Sequence, residues 1–331
     1  MKNGKMTKED LRIVFMGTPE FAVETLKALV DNDYNVVAVV TQPDKPVGRH
    51  GSVLQPSAVK QYAQQQGLPV MQPEKMKDPD FVSQLRAYDA NLQVVVAFRM
   101  LPEVVWAMPR YGTFNVHAAL LPQYRGAAPI NWAVINGETR TGVTTFFLDH
   151  DIDTGRIIEQ RPFDIPDDAD VEYVYDGLMR LGADICLSTI GKIIAGDGCP
   201  QSQEQSELYQ STSELKAAPK IFKDTCRINW NQPAKRVYDF IRGLSPYPGA
   251  WTELAHNSQP ASVLKIFRAS KTDRPSSPEA VGRITADKKH LYIGCADALL
   301  QIDQLQLSGK KRMCAADFLN GIKDVEKYFV N

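Results

Sequence analysis

Three side chains in this sequence could carry proton-linked chemistry at one spot: Asn115, His117 and Asp153. Asn115 and His117 stand two apart in the apolar run TFNVH (113–117). A strand turns successive side chains to opposite faces, so these two share a face. Further on, the acid-rich turn DHDIDTG supplies Asp153. An amide, an imidazole and a carboxylate suit acyl transfer: a carbonyl polariser, a proton carrier, and a group that orients and tunes the carrier. Read alone, Asn115 and His117 also suit a satisfied structural polar pair. Asp149, His150, Asp151 and Asp153 are metal-ligand types. One tight turn does not supply a full coordination shell, so no metal is expected, and His150 reads as a surface residue. Between the strand and the turn runs AALLPQYRGAAPI (118–130), whose Pro, Gly and small residues favour an irregular loop over a helix. Such a loop lets a ligand approach the backbone closely.

The elements that must position these residues alternate in type. LRIVFMG (11–17) and YNVVAVVT (34–41) are continuous apolar runs, the mark of buried parallel strands. TPEFAVETLKALVDND between them reads as a helix, with Pro19 in its first turn. Strand–helix–strand order implies a right-handed parallel crossover and the start of a doubly wound α/β sheet. The first turn, GTPEF, is not the GxGxxG dinucleotide fingerprint, so a nicotinamide cofactor is not expected. Helices are predicted over 57–67, 78–88, 101–109 and 129–138, and strands over 92–98, 141–149 and 155–165. The loops at 97–101 and after residue 117 then fall at carboxyl ends of strands, where open α/β sheets bind ligands. Residues 168–196 show one apolar stripe, Val171, Val174, Leu178, Leu181 and Ile185, and read as a long amphipathic helix closing a first domain over 1–197. Residues 198–218 lack apolar periodicity and read as a surface linker. The remainder, 219–331, holds a helix within 232–251 and five short β-like runs, which suit a small barrel of the OB type.

The loop residues carry a resemblance. NVHAALLPQYRGAAPI followed by DIDTG resembles the signature of the folate-dependent formyltransferases. With FMGTPEFAVETL before it and TQPDKPVGR beyond the second strand, the chain is most similar to the methionyl-tRNA formyltransferase family, over residues 11 to about 325. The resemblance implies a Rossmann-like catalytic domain followed by an OB-like, tRNA-binding domain. It implies 10-formyltetrahydrofolate as formyl donor and initiator methionyl-tRNA as acceptor. It makes Asn115, His117 and Asp153 catalytic. It makes Ala119, Leu120, Leu121 and Pro122 a folate wall that contacts through the main chain. It also makes the 42–56 insertion a tRNA-entering loop, with Arg49 and Lys45 as contacts. Two departures stand out. Ala118-Ala119 precedes LLP where the family has a serine, and Ala97-Phe98-Arg99 stands where it has Ala-Tyr-Gly.

Bulk properties agree with that reading. At 331 residues two domains are expected, and the hydrophobic share of 44% is ordinary for a globular chain. No apolar run approaches the roughly 20 residues that span a bilayer, and the N-terminus has no apolar core of a secretory signal, so a cytoplasmic protein is expected. Five scattered cysteines, none in a CxxC pair, argue against a zinc or disulfide framework. The net charge of −1 hides an asymmetry: residues 217–331 hold 18 Lys and Arg against 11 Asp and Glu. A basic module suggests an anionic partner. An amino sugar nucleotide is the alternative acceptor, and a monomer is expected.

Overall fold

Five buried residues, Ile13–Gly17 (β1), form the first strand, and Val36–Val40 (β2) forms the second. Their sequences are apolar at every position because helices cover both faces of a parallel sheet. The computed structural model describes residues 5–47, 53–208, 214–256 and 259–331. Contacts divide the chain into two compact units that interleave in sequence. One comprises Met1–Gly126, Thr141–Phe163 and Tyr175–Ala217; the other comprises Ala127–Arg140, Asp164–Val174 and Ala218–Asn331.

The first unit is organised on a seven-stranded sheet. After β1 and β2 come Val70–Met71 (β3), Leu92–Val96 (β4), Thr113–His117 (β5), Arg140–Phe147 (β6) and Ile157–Asp164 (β7), in the spatial order β7-β6-β5-β4-β1-β2-β3. β1 pairs in parallel with β2 and β4, β2 with β3, and β4 with β5. The doubly wound order expected from the sequence is therefore present across five strands. β6 runs antiparallel to β5, so the sheet is mixed at that edge.

Local chemistry starts and stops the helices. Glu20–Asp31 (α1) follows β1 through Gly17, where a Cβ would come within 2.7 Å of the Ala22 Cβ. Only glycine lets the strand turn into the helix so tightly. Ser57 caps Ala58–Gln65 (α2) by accepting from Lys60 N, and Asp78 caps Pro79–Ala87 (α3), with Pro79 in its first turn. Glu103–Trp106 (α4) is one turn long, shorter than the predicted 101–109. Val14, Met16, Ala38, Val40, Val95 and Val105 share a core on one face of the sheet. Burying each of the valine and methionine side chains contributes about 1.5–3 kcal/mol. Val171–Ala195 (α6) begins in the second unit and continues in the first, where it lies close to β5: a Cβ on Gly182 would meet Val116 at 3.5 Å.

The second unit carries its own core, around Ile228, Trp230, Val237, Ile241, Leu264, Ile293, Ile302 and Leu305. Its sheet runs Ile284–Ala286, Leu291–Gly294, Ala298–Leu307, Gln259–Pro275, Ala250–His256, Tyr328–Val330 in spatial order. All pairings described between these strands are antiparallel. A bridge from Arg283 to Phe329 brings the two ends of the sheet together, so the barrel is nearly closed. Pro129–Ile135 (α5) packs against Ala234–Gly243 (α7): Asn131 donates to the Gly243 carbonyl at 2.9 Å, and a Cβ on Gly243 would meet Ile135 N at 2.8 Å. Inside α7 Asp239 and Arg242 form a buried ion pair at 2.8 Å, and Lys235 binds the same carboxylate at 2.7 Å. The helix Ala315–Gly321 and the length of the Gln259–Pro275 strand are not apparent in the sequence patterns.

Candidate active site

β5 ends at His117, at the carboxyl end of the parallel strands. Both faces of the strand are buried except at one place: Phe114 and Val116 on one face and Thr113 and His117 on the other are buried, and Asn115 alone is half-buried. The Asn115 amide has no hydrogen-bond partner among the described residues. His117 lies on the same face, is 6% exposed, and sits opposite Thr144 of β6. Its Nε2 is 2.9 Å from the Tyr124 carbonyl oxygen. A carbonyl only accepts, so Nε2 carries the proton in this contact. Nδ1 is left facing Asp153, with 3.8 Å to Oδ2. That separation is ion-pair range, beyond a hydrogen bond. The Phe146 ring stands edge-on to the imidazole, with centroids 6.3 Å apart. Leu121, Phe146 and Ile157 form a small apolar cluster beneath.

Asp153 is held by the loop it faces. Gly126 N donates to Asp153 Oδ2 at 2.9 Å, and Asp153 has a left-handed backbone, φ 55°. Two residues on, a Cβ at Gly155 would lie 1.6 Å from the Phe147 carbonyl oxygen, so that turn position requires glycine. Thus the structure brings His117 and Asp153 together and puts Asn115 on the same strand face as His117. No group of three or more His, Cys, Asp or Glu suited to a metal occurs among the described residues. His150 lies apart from this pair, edge-on to Trp106 and 3.9 Å from Glu103, with its side chain exposed.

The loop after β5 is braced from β6 and β7. Thr144 Oγ1 donates to the Ala119 carbonyl at 2.6 Å and accepts from Leu121 N at 3.1 Å. Gln160 Nε2 donates to the Leu121 carbonyl at 2.8 Å. Ala119 and Leu121 are buried, and several of their main-chain polar groups are engaged inside the protein. Leu120 and Pro122 are half-buried and leave surface accessible. Apolar surface beside a partnerless amide is the mix that small-molecule sites present. Arg99 donates to the carbonyls of Pro73 and Glu74, while its Nε is buried without a partner among the described residues. Burial pulls its guanidinium below the ordinary value.

Lys45 is exposed at the start of a short antiparallel pair, Lys45–Val47 with Val53–Gln55. Arg49 lies outside the described residues. Asp44, at the foot of that pair, is fixed by Lys60 at 2.6 Å and Gln72 at 2.7 Å.

Sequence reasoning missed Thr144, Gln160, Tyr124, Arg125 and Gln205. Thr144 alone had a signal, a hydroxyl in an alternating strand next to the site strand. Gln205 belongs to the stretch without periodicity, yet it is 3% exposed and lies against the Asp153 turn.

Known proteins resemble this chain in both halves. The formyl transferase family matches residues 11–190, and the formyl transferase C-terminal domain family matches residues 220–323. A methionyl-tRNA formyltransferase of Parabacteroides distasonis is 61% identical over 327 residues, covering 98% of this chain and 100% of that protein. One from Bacteroides thetaiotaomicron is 55% identical over 326 residues, covering 98% and 100%. Among solved structures, the sugar 3N-formyltransferase WlaRD, crystallised in the presence of dTDP and 5-N-formyl-THF, superposes with a TM-score of 0.62. It is 17% identical and covers 91% of this chain and 99% of its own, a likeness of fold.

Proposed function

The chain belongs to the methionyl-tRNA formyltransferase family, and from that premise we propose that it transfers the formyl group of 10-formyltetrahydrofolate to the amino group of initiator methionyl-tRNA. The observation that carries the reading is the His117–Asp153 pair at the carboxyl end of β5, with Asn115 on the same strand face. Asn115 donates its free amide N–H to the formyl oxygen, where negative charge develops as the methionyl amine attacks the formyl carbon. With its Nε2 fixed by the Tyr124 carbonyl, His117 acts through Nδ1: carrying a second proton there, it stabilises that oxygen or delivers the Nδ1 proton to N10 as the bond from formyl carbon to N10 breaks. Asp153 orients the imidazole and takes up, through water, the proton that the amine loses. The new carbon–nitrogen bond replaces the old one, and one proton leaves the amine as one reaches N10. Neither a covalent enzyme intermediate nor a metal is required by this balance.

The folate contacts fall to Leu120 and Pro122, which keep accessible surface, with Ala119 and Leu121 forming the braced frame behind them. Lys45 and Arg49 serve the tRNA end, and the basic second unit steadies the RNA through its phosphates. The near full-length identity to methionyl-tRNA formyltransferases favours this acceptor over an amino sugar nucleotide. A formylation assay offering charged initiator tRNA beside an amino sugar nucleotide tests it. Formyl-methionyl-tRNA is the expected product; formylation of the sugar alone would overturn the assignment. No helix among the described residues is long and apolar enough to cross a membrane.

A further inference from the structure

We propose that Gln205 is the positioning residue of the candidate catalytic pair, its amide tying the 153–155 turn to the 124–126 loop and so setting the approach of Asp153 to His117. The inference rests on the formyl-transfer reading above.

Gln205 opens a one-turn helix, Gln205–Leu208, and is buried at 3% exposure. Its Nε2 donates to the carbonyls of Asp153 at 2.8 Å and Gly155 at 3.0 Å. Its Oε1 accepts from Arg125 Nε at 3.1 Å and from a terminal Arg125 nitrogen at 2.5 Å. An amide offers two donors and two lone pairs, so every position is used. The partners matter more than their number. His117 is held by the carbonyl of Tyr124 and Asp153 by the N–H of Gly126. Arg125 is the residue between those two. Gln205 therefore joins the middle of the tripeptide that contacts both catalytic side chains to the turn that carries one of them. It also binds the carbonyl of Asp153 itself, whose left-handed backbone a residue other than glycine keeps only when its surroundings impose it.

The chain just before Gln205 is anchored, which gives the amide a fixed base. Gln203 exchanges two main-chain hydrogen bonds with Ile157, each 2.8 Å. Further on, Lys216 accepts from Tyr124 N at 2.6 Å and donates to Gln123 Oε1 at 2.8 Å. Removing the Gln205 amide leaves these anchors and the Gly126 contact in place. What is lost is the pair of donors that fixes the turn, so the effect falls on the spacing of Asp153 and His117.

Two variants separate positioning from simple core filling. Gln205→Met keeps length and volume and removes all four hydrogen bonds. Gln205→Glu keeps the acceptor for Arg125 and removes both donors to the turn. Displacing a catalytic group by a fraction of an ångström to 1 Å costs up to about 10²-fold in rate. Formylation of methionyl-tRNA by either folded variant should lose about 10- to 100-fold in kcat, while KM for tRNA and for the formyl donor changes less than about threefold. A residue that merely fills space would lower the melting temperature and leave kcat unchanged; that result in either variant overturns the proposal. If Gln205→Met does not fold, Gln205→Glu decides alone. The wild-type chain, assayed in parallel, tests the formyl-transfer reading separately: an inactive wild type removes that reading and this inference with it, whereas an active wild type with unaltered variants removes only the role of Gln205.

Discussion

Replacing His117 by glutamine isolates the imidazole chemistry from the imidazole's place in the fold. The ring is 6% exposed and makes one described hydrogen bond, from Nε2 to the Tyr124 carbonyl at 2.9 Å. Glutamine has the same number of bonds from Cβ to Nε2, so its amide can donate to that carbonyl and keep a contact worth about 1 kcal/mol. The stability loss should then stay below about 1.5 kcal/mol, a shift of a few degrees in Tm for a chain of this length. Alanine instead removes the contact and opens a cavity beside Phe146, at a cost of about 2–5 kcal/mol. Catalysis responds differently. A lost proton-transfer group costs about 10²- to 10⁴-fold, or roughly 2.7–5.4 kcal/mol of barrier. His117→Gln should therefore melt almost like wild type and formylate methionyl-tRNA at least about 100-fold more slowly. Saturating kcat and a thermal melt on the same preparation provide the check. A kcat within about threefold of wild type would refute the role of the imidazole.

Three further perturbations probe other parts of the argument. Arg49→Ala should weaken use of charged tRNA well beyond any change in folate binding, and equal losses in the two titrations would contradict the tRNA-loop assignment. Burial of Glu159 raises its carboxyl pKa, but hydrogen bonds from Ser188, Lys192 and Arg161 outweigh that and hold it below the usual range. Its stabilising contribution is then complete above the unfolded carboxylate value of about 4.3 and is lost as pH falls through the lower folded value. Glu159→Gln should thus destabilise at neutral pH and flatten the acid limb of a stability–pH curve; a parallel downward shift of the whole curve would contradict this. Arg242→Met strands the buried Asp239 carboxylate with only Lys235 and should cost about 3–5 kcal/mol in a denaturant titration. A loss under about 1 kcal/mol would mean that the pair is solvated in practice.

What the sequence made legible was set by local periodicity. β1 and β2 are continuous apolar runs and β4 is apolar except at Gln93, and the structure buries every residue of β1 and β4. The two-residue spacing of Asn115 and His117 put them on one face, as β5 does. Asp153 was readable only as a carboxylate in a tight turn; its meeting with His117 depends on β6 returning antiparallel beside β5, which spacing does not encode. The bracing by Thr144 and Gln160 is a matter of strand register. Gln205 had no local signal, because its partners Arg125 and Asp153 lie 80 and 52 positions away in the chain. The main-chain wall expected at Ala119–Pro122 is where the two levels diverge most. Ala119 and Leu121 spend polar groups on Thr144 and Gln160, a competition invisible until the strands are paired.

The interleaving of the two units bears on how this gene can be cut. Residues 127–140 and 164–174 are encoded between stretches of the first unit but fold with the second, so no single stop codon or junction separates two self-sufficient pieces. A transcript ended near residue 218 would still specify α5, whose docking site on α7 it no longer encodes. A clone begun there would specify α7 with nothing to cover it. Fragment rescue, in which two halves are produced separately and mixed, should therefore complete the second unit only when both are present, because the earlier fragment supplies part of its interior.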